Sequence, residues 1–316
     1  MILNLVPEFL DVIAAADREA AYREYLRRHH TLLHHYWHNY VLELDSAPAA
    51  EVIAQALAAD RKDLVRLVET VDLEHAAEQA FAAAAIVLDL DVPVDVVLTV
   101  GVGGANAGEL AVGGRGIVIV CVEHFTGHAN PETFALGLAP ELLAPWIAHE
   151  VAHMVRYLSP QSRSDLRRLV LEAGGMYDCW ELASRASLRE LLVNEGVAVH
   201  AARAAAPGHP EEAYYGYTRR QWKRLRELDA FLVRAARTDL DRHGLGLRLR
   251  WLTGGMTPAA RIVGGRVLPE RAGYYLGARL AESLVAERGV AAAARAPLAD
   301  FAAAEQRAHP GRAASA

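Results

Sequence analysis

The stretch His149-Glu150-Val151-Ala152-His153 constrains this chain more than any other. On a helix, residues four apart share a face, one turn apart. Two imidazoles so placed can bind one zinc ion, and the Glu beside the first His addresses the ligand that fills an open coordination position. The flanks predict a helix. Pro145 suits a first helical turn and Ser159-Pro160 ends it. Trp146, Ile147, Val151, Met154 and Val155 surround the two His with apolar side chains. A metal site needs such a dry, shaped surround to hold its ligands still. The plain alternative is a surface helix that carries His, Glu and His by coincidence, and an apolar flank argues against it.

Composition narrows the setting. The 316 residues are 53% hydrophobic, ample for one large domain or two intimate ones. The formal net charge is -6 and no basic stripe occurs, so nucleic acid is not an expected partner. Two cysteines, Cys121 and Cys179, imply no disulfide framework and are expected as buried small hydrophobes. The first residues lack the basic and apolar segments of a signal peptide. Apolar stretches are broken by charges before membrane-spanning length. The expected location is cytoplasmic, with no membrane partner and an oligomeric state left open.

Three regions are expected: an N-terminal helical region over 1–90, a main domain over 91–305, and a disordered tail over 306–316. The spacing predicts helices over 8–45, from Ser46 to about Thr70, and from Asp72 to Leu88. His30, His34 and His38 share a face of the first, read as a polar face rather than a second metal site. The texture then changes. Val94–Val100 is β-branched and apolar, Glu109–Val112 and Gly116–Val122 read as two further strands, and Gly113-Gly114-Arg115 joins those two. The glycine-rich stretch 101–108 lacks a phosphate-loop pattern. An antiparallel meander is expected, with 109–112 or 116–122 as an edge on which a peptide could pair. Asn130-Pro131-Glu132 looks like a helix start. After Pro160 the chain is mostly helical, with breaks at 174–175, 206–210 and 253–258. The fold class expected is thus α+β: mainly helical, with a small antiparallel sheet beside the His149–His153 helix.

A catalytic zinc usually has three protein ligands. The extended pattern with a third His six residues on fails, because Arg156 and Ser159 hold its Gly and His positions. The best third ligand is Glu195, 42 residues (195 − 153) beyond His153, in an apolar run followed by Gly196 and Ala198. A lone buried carboxylate is costly unless it meets a cation. Glu172 is the strongest rival, then Asp178 and His200.

These motifs resemble those of the gluzincin clan of zinc metallopeptidases. More narrowly, they resemble a bacterial domain family of unknown function described as predicted zinc-dependent proteases. The resemblance rests on His149–Arg156, on Glu195-Gly196-Val197-Ala198 and on Pro269–Gly277, and spans about residues 90–290. It implies a zincin-like fold, Zn²⁺ as cofactor, His149, His153 and Glu195 as ligands, and Glu150 as general base. One departure is Val199, which stands where thermolysin-like enzymes carry an Asp that orients a zinc His. Pro269 is expected to start a helix in which Gly273 and Gly277 allow close packing. The Gly-Tyr pattern of the resemblance selects Tyr274 over Tyr275 as a donor to a reaction oxyanion, and Arg271 could neutralise that charge or hold a substrate carboxylate. The expected function is zinc-dependent hydrolysis of a peptide bond in a peptide or protein substrate. The alternatives are a non-enzymatic zinc-containing binding or regulatory protein, and a zinc hydrolase of a non-peptide amide.

Overall fold

A computed structural model describes residues 1–254 and 257–308. Ile2–Asn4 forms a short strand, β1, and is followed by helices α1 (Val6–Ala14), α2 (Arg18–Arg28), α3 (His30–Tyr40), α4 (Ala47–Ala58), α5 (Lys62–Thr70) and α6 (Leu73–Leu88). The two long helices expected over 8–45 and 46–70 are therefore broken. At the first break Asp17 turns out of the helix and its side chain accepts from Ala20 N–H, capping α2. At the second, Ala59 is extended and α5 restarts after Arg61.

The strands β2 (Val94–Thr99), β3 (Ala107–Val112) and β4 (Arg115–Cys121) follow, and the sheet order is β1-β2-β4-β3. The antiparallel meander is corrected here. In this sheet β3 and β4 pair antiparallel, through the Gly113-Gly114 turn, whereas β4 lies parallel to β2, and β2 parallel to β1. The connection over 100–106 is long enough to pass over one strand position, so β3 lands at the edge and β4 returns between β3 and β2. The N-terminus thus supplies the opposite edge, with Ile2 opposite Val96. Asn130 does not start a helix: Ala129–Asn130 (β5) and Ala135–Leu136 (β6) form a small hairpin. The Asn130 side chain accepts from Glu132 N–H, the turn that competes with helix initiation.

Helix α7 (Leu143–Leu158) carries the two His and is buried on nearly every side, packed between α6, the sheet and a later helix, α10. Beyond it come α8 (Asp165–Glu172), α9 (Cys179–Arg185), α10 (Leu188–Ala205), α11 (Arg219–Glu227), α12 (Asp229–Arg237) and α13 (Leu245–Leu252). A two-residue hairpin, β7 (Ile262–Val263) with β8 (Arg266–Val267), leads to α14 (Ala272–Arg288), α15 (Val290–Arg295) and α16 (Leu298–Ala308). Of the break expected at 253–258, residues 255–256 lie outside the described residues. So do residues 309–316 of the expected tail, whereas 306–308 belong to α16 and are not disordered. Helix α14 starts at Ala272 rather than Pro269, because Arg271 adopts a left-handed backbone conformation, φ 56°.

The close packing expected at Gly196, Gly273 and Gly277 is found between α10 and α14. A Cβ on Gly196 would overlap the Gly277 carbonyl, and one on Gly277 would overlap the Leu192 carbonyl. The two helices therefore meet backbone to backbone. Leu5 and Phe9 near the N-terminus, Trp37, the strands and α14 all belong to one continuous apolar core. Among the described residues, no helix is long and apolar enough to cross a membrane.

Helix α7 is tied to the C-terminal helices by charge as well. Arg156, fully buried, pairs with the equally buried Glu190 of α10. Its second guanidinium nitrogen faces the carbonyls of Ala293, Ala294 and Ala296 at 3.4–3.5 Å, at the C-terminal end of α15. A helix C-terminus presents unsatisfied carbonyls and a partial negative charge, and Arg156 answers both.

Candidate metal centre and cleft

His149 and His153 stand one turn apart on α7, with ring centroids 4.9 Å apart. Across from them, α10 brings Glu195. Its Oε2 lies 3.2 Å from His149 Nε2 and 3.7 Å from His153 Nε2. One ligand atom from each of the three lies within 4.8 Å of the others, a span one cation can bridge. Burial pushes the His149 pKa down to about 3. It lowers His153 as well, against Glu109 and Glu195, which favour its charged form. Both rings are thereby held neutral, the form that ligates a metal. Burial, with repulsion from Glu109, raises Glu195 against the pull of His153 and two arginines. A carboxylate so placed lacks a full cationic partner, and a metal ion would supply one.

The other candidate ligands are engaged elsewhere. Glu172 is on the surface, paired with Arg168 and Arg185. Asp178 caps α9 through Trp180 N–H and Glu181 N–H and meets His38. His200 Nε2 lies 2.9 Å from the Ala278 carbonyl oxygen. The His30–His38 face forms no metal cluster among the described residues. His30 and His34 stack on each other, and His38 bridges Glu43 and Asp178.

Glu150 is buried beside His149 and turns toward Glu109 of β3. Carboxylate oxygens of Glu109 and Glu150 and a nitrogen of His153 form a second cluster within 4.8 Å. Burial, then repulsion from Glu109 and Glu195, raises the Glu150 pKa well above the usual carboxylate range. Glu109 moves the opposite way. Burial opposes its charge, but His153 and hydrogen bonds from Tyr177 and Tyr40 outweigh it. Three hydroxyls reach the Glu109 carboxylate: Tyr177 at 2.8 Å, Tyr40 at 2.9 Å and Tyr157 at 3.1 Å. The two shifts run in opposite directions: of the pair, Glu109 is the readier to ionise and Glu150 the readier to take up a proton.

Sequence reasoning missed Glu109 as a site residue. Its signal was present: a single acid in an otherwise apolar strand. It also missed His124 on the wall of the cleft, whose Nδ1 accepts from Leu136 N–H at 3.2 Å and whose Nε2, without a hydrogen bond, lies 3.8 Å from Glu123 Oε1. Nothing in the sequence around His124 marks it.

Helix α14 completes the roof. The Tyr274 ring stacks on His149 with centroids 6.1 Å apart. The Arg271 guanidinium lies over the Tyr274 ring at 4.4 Å and near Trp146 at 5.9 Å. Burial pushes the Tyr274 phenol up, so it stays a donor. Tyr275 points away and donates to Asp229 at 3.0 Å. The Arg271 carbonyl accepts from Tyr217 OH at 2.7 Å, which fixes the left-handed turn that aims both groups.

The cleft above these residues has a volume of about 370 Å³. The loop 103–107, the β5–β6 hairpin, α13 and residues 270–274 form its walls. Phe134 and Leu136 of the hairpin are more than half exposed at its rim. The expected sheet edge is only partly open. Strand β4 is interior, and β3 is the edge, but the Tyr40 hydroxyl takes both the N–H and the C=O of Glu109, at 2.8 and 2.6 Å. Tyr177 N–H takes the Ala111 carbonyl at 2.8 Å. Strand pairing by a substrate at these two residues is closed, because their outward backbone groups are already used.

Comparison with known proteins finds no matching family model, no matching curated protein and no matching solved structure.

Proposed function

We propose that this chain is a zinc-dependent peptidase of gluzincin type on a zincin-like fold. The observation that carries the reading is the convergence of His149, His153 and Glu195 from two helices, with Glu150 beside them. Two neutral imidazoles and one carboxylate form a donor set suited to Zn²⁺, and three protein ligands leave a position open. The residues present thus fit the ion. A zinc ion held there would act as a Lewis acid on the scissile carbonyl and lower the pKa of a water.

The protein's own residues account for the remaining chemistry. Glu150, as carboxylate, takes a proton from the attacking water and returns it to the leaving amine. Ionised Glu109, fixed by three tyrosines, holds negative charge next to Glu150 and strengthens it as a base. Tyr274 O–H and the Arg271 guanidinium, fixed against each other, donate to the oxyanion as it develops. Phe134 and Leu136 offer an apolar rim to a side chain of the peptide. The two cysteines, free and buried, support a reducing compartment such as the cytoplasm.

The test is elemental analysis joined to peptide hydrolysis. Purified protein should carry about one zinc per chain. Glu150→Gln should keep that zinc and lose hydrolysis by at least about a hundredfold. Hydrolysis unchanged in that variant would overturn the role of Glu150, and protein that binds no zinc would overturn the whole reading.

A further inference from the structure

The proposed reaction leaves one cation of the cleft without a task. Arg248, on α13, lines the same cavity as His149, Glu195 and Tyr274. Among the described residues, no carboxylate lies within the 4.0 Å of an ion pair from Arg248 or from Arg271. The only other cleft acid near these arginines, Glu270, is taken by Arg261 at 3.2 Å. The inner wall then holds Glu109, Glu150 and Glu195 against Arg248 and Arg271. A divalent ion at the metal centre tips the balance to positive, because at most three negative charges then meet four positive ones. The loaded cleft is set up for an anionic ligand.

Resting on the peptidase reading, we propose that Arg248 is a specificity residue that binds a carboxylate of the substrate while the scissile carbonyl lies under Tyr274 and Arg271. A guanidinium with no carboxylate of its own matches a carboxylate, which it can hold through two parallel hydrogen bonds. A phosphate group calls for more donors than this wall offers. Arg248 hydrogen-bonds to the Cys179 sulfur and feels the charge of the tyrosine-held Glu109, and no carboxylate pairs with it among the described residues. The carboxylate can come from the C-terminus of a peptide or from an Asp or Glu side chain, and the two sources separate in the experiment.

The test measures calorimetric binding to zinc-loaded Glu150→Gln protein, which binds without turning over. The probes are N-acetylated tetra-alanine with a free C-terminus, its C-terminal amide, and the amide with one Asp in place of Ala. The expected result is at least about tenfold tighter binding of one carboxylate probe than of the neutral amide. Preference for the free C-terminus assigns trimming from the C-terminal end, and preference for the Asp amide assigns cleavage next to acidic residues. Arg248→Met should abolish the preference at unchanged zinc content, and Arg248→Lys should weaken it. The Lys variant decides the matter if the Met variant does not fold. Equal binding of all three probes, or a preference that survives both substitutions, overturns the proposal. Hydrolysis of the neutral amide by the wild-type chain tests the peptidase reading separately. A peptidase with no carboxylate preference loses only this inference, and a carboxylate preference without hydrolysis loses only the other.

Discussion

Gly196 of α10 and Gly277 of α14 meet backbone to backbone, with no room for a methyl group on either. The contact sets the distance between the helix that carries Glu195 and the helix that carries Tyr274. Gly196→Ala must push α14 away, and α14 cannot yield without moving the roof of the cleft. Overpacking of this kind costs about 1–3 kcal/mol, and rigid backbone on both sides favours the upper end. The expected outcome is a lower denaturation midpoint and weaker zinc binding, with Gly277→Ala behaving alike. Both are read by urea titration and by competition with a zinc-sensitive dye.

Removal of the proposed zinc should destabilise the folded chain, because it would leave the buried carboxylate of Glu195 without a cation. Ligand linkage gives about 4 kcal/mol when free zinc exceeds its Kd a thousandfold. Melting with and without a chelator should show a lower Tm in the chelated protein. Glu195→Gln should make the Tm nearly indifferent to zinc. A chelator effect that persists undiminished in that variant would place the ion elsewhere.

Glu109→Gln tests the missed residue. The amide keeps the shape of the side chain but not its charge, and its NH2 end cannot accept, so at least one of the three tyrosine hydroxyls loses its acceptor. The chain should fold and bind zinc, while kcat falls about 10–100-fold, the loss typical of residues that support a metal site from behind. Steady-state kinetics on a peptide substrate, with zinc content measured on the same sample, gives the answer. Unchanged kcat would reduce Glu109 to a packing residue.

Arg156 and Glu190 form a fully buried pair. Removing one member strands the other charge, so Arg156→Met should cost about 3–5 kcal/mol. The double variant Arg156→Met with Glu190→Leu should recover most of that loss. Chemical denaturation of the three variants measures the coupling. A double variant as unstable as the single one would show that the carbonyls of α15, rather than Glu190, are the partner that matters.

The His38 bridge predicts a pH dependence. Burial works against its charge, but hydrogen bonds to Glu43 and Asp178 outweigh that and raise its pKa above 6.5. A raised folded-state value means the bridge contributes fully below the unfolded value and is lost as pH rises through the folded one. His38→Gln should therefore be less stable than the parent at pH 5.5 and about equal to it at pH 9. Paired denaturation curves at the two pH values check this, and an equal difference at both would exclude a protonated bridge.

The helix of the two His was legible in the sequence because its boundaries are local: a Pro in the first turn, a Ser-Pro at the end, apolar flanks between. Gly273 and Gly277 were legible for a similar reason, since small residues four apart on one helix have few other uses, and Gly196 was legible as a gap beside Glu195 in an apolar run. Strand β1 was not, because three residues carry no period and join the sheet only through partners over ninety residues away. Glu109 was visible only as a single acid in an apolar strand, and Arg248 only as one of two arginines in a short apolar helix. What makes them part of a site is the convergence of β3, α7, α10 and α13, which local pattern does not encode. The direction of β4 turned on whether the 100–106 connection passes over a strand, a question of span and not of composition.

The Arg156 guanidinium reaches carbonyls at residues 293–296, and Arg295 in turn donates to the Leu88 and Asp89 carbonyls. The helix with both histidines is thus anchored to a segment made about 140 residues after it, a sequence separation that delays folding. During synthesis the buried arginine has no carbonyls to meet until that segment leaves the ribosome. A nascent chain stalled before residue 290 would hold His149 and His153 loosely, so the proposed metal centre is expected to assemble late and all at once.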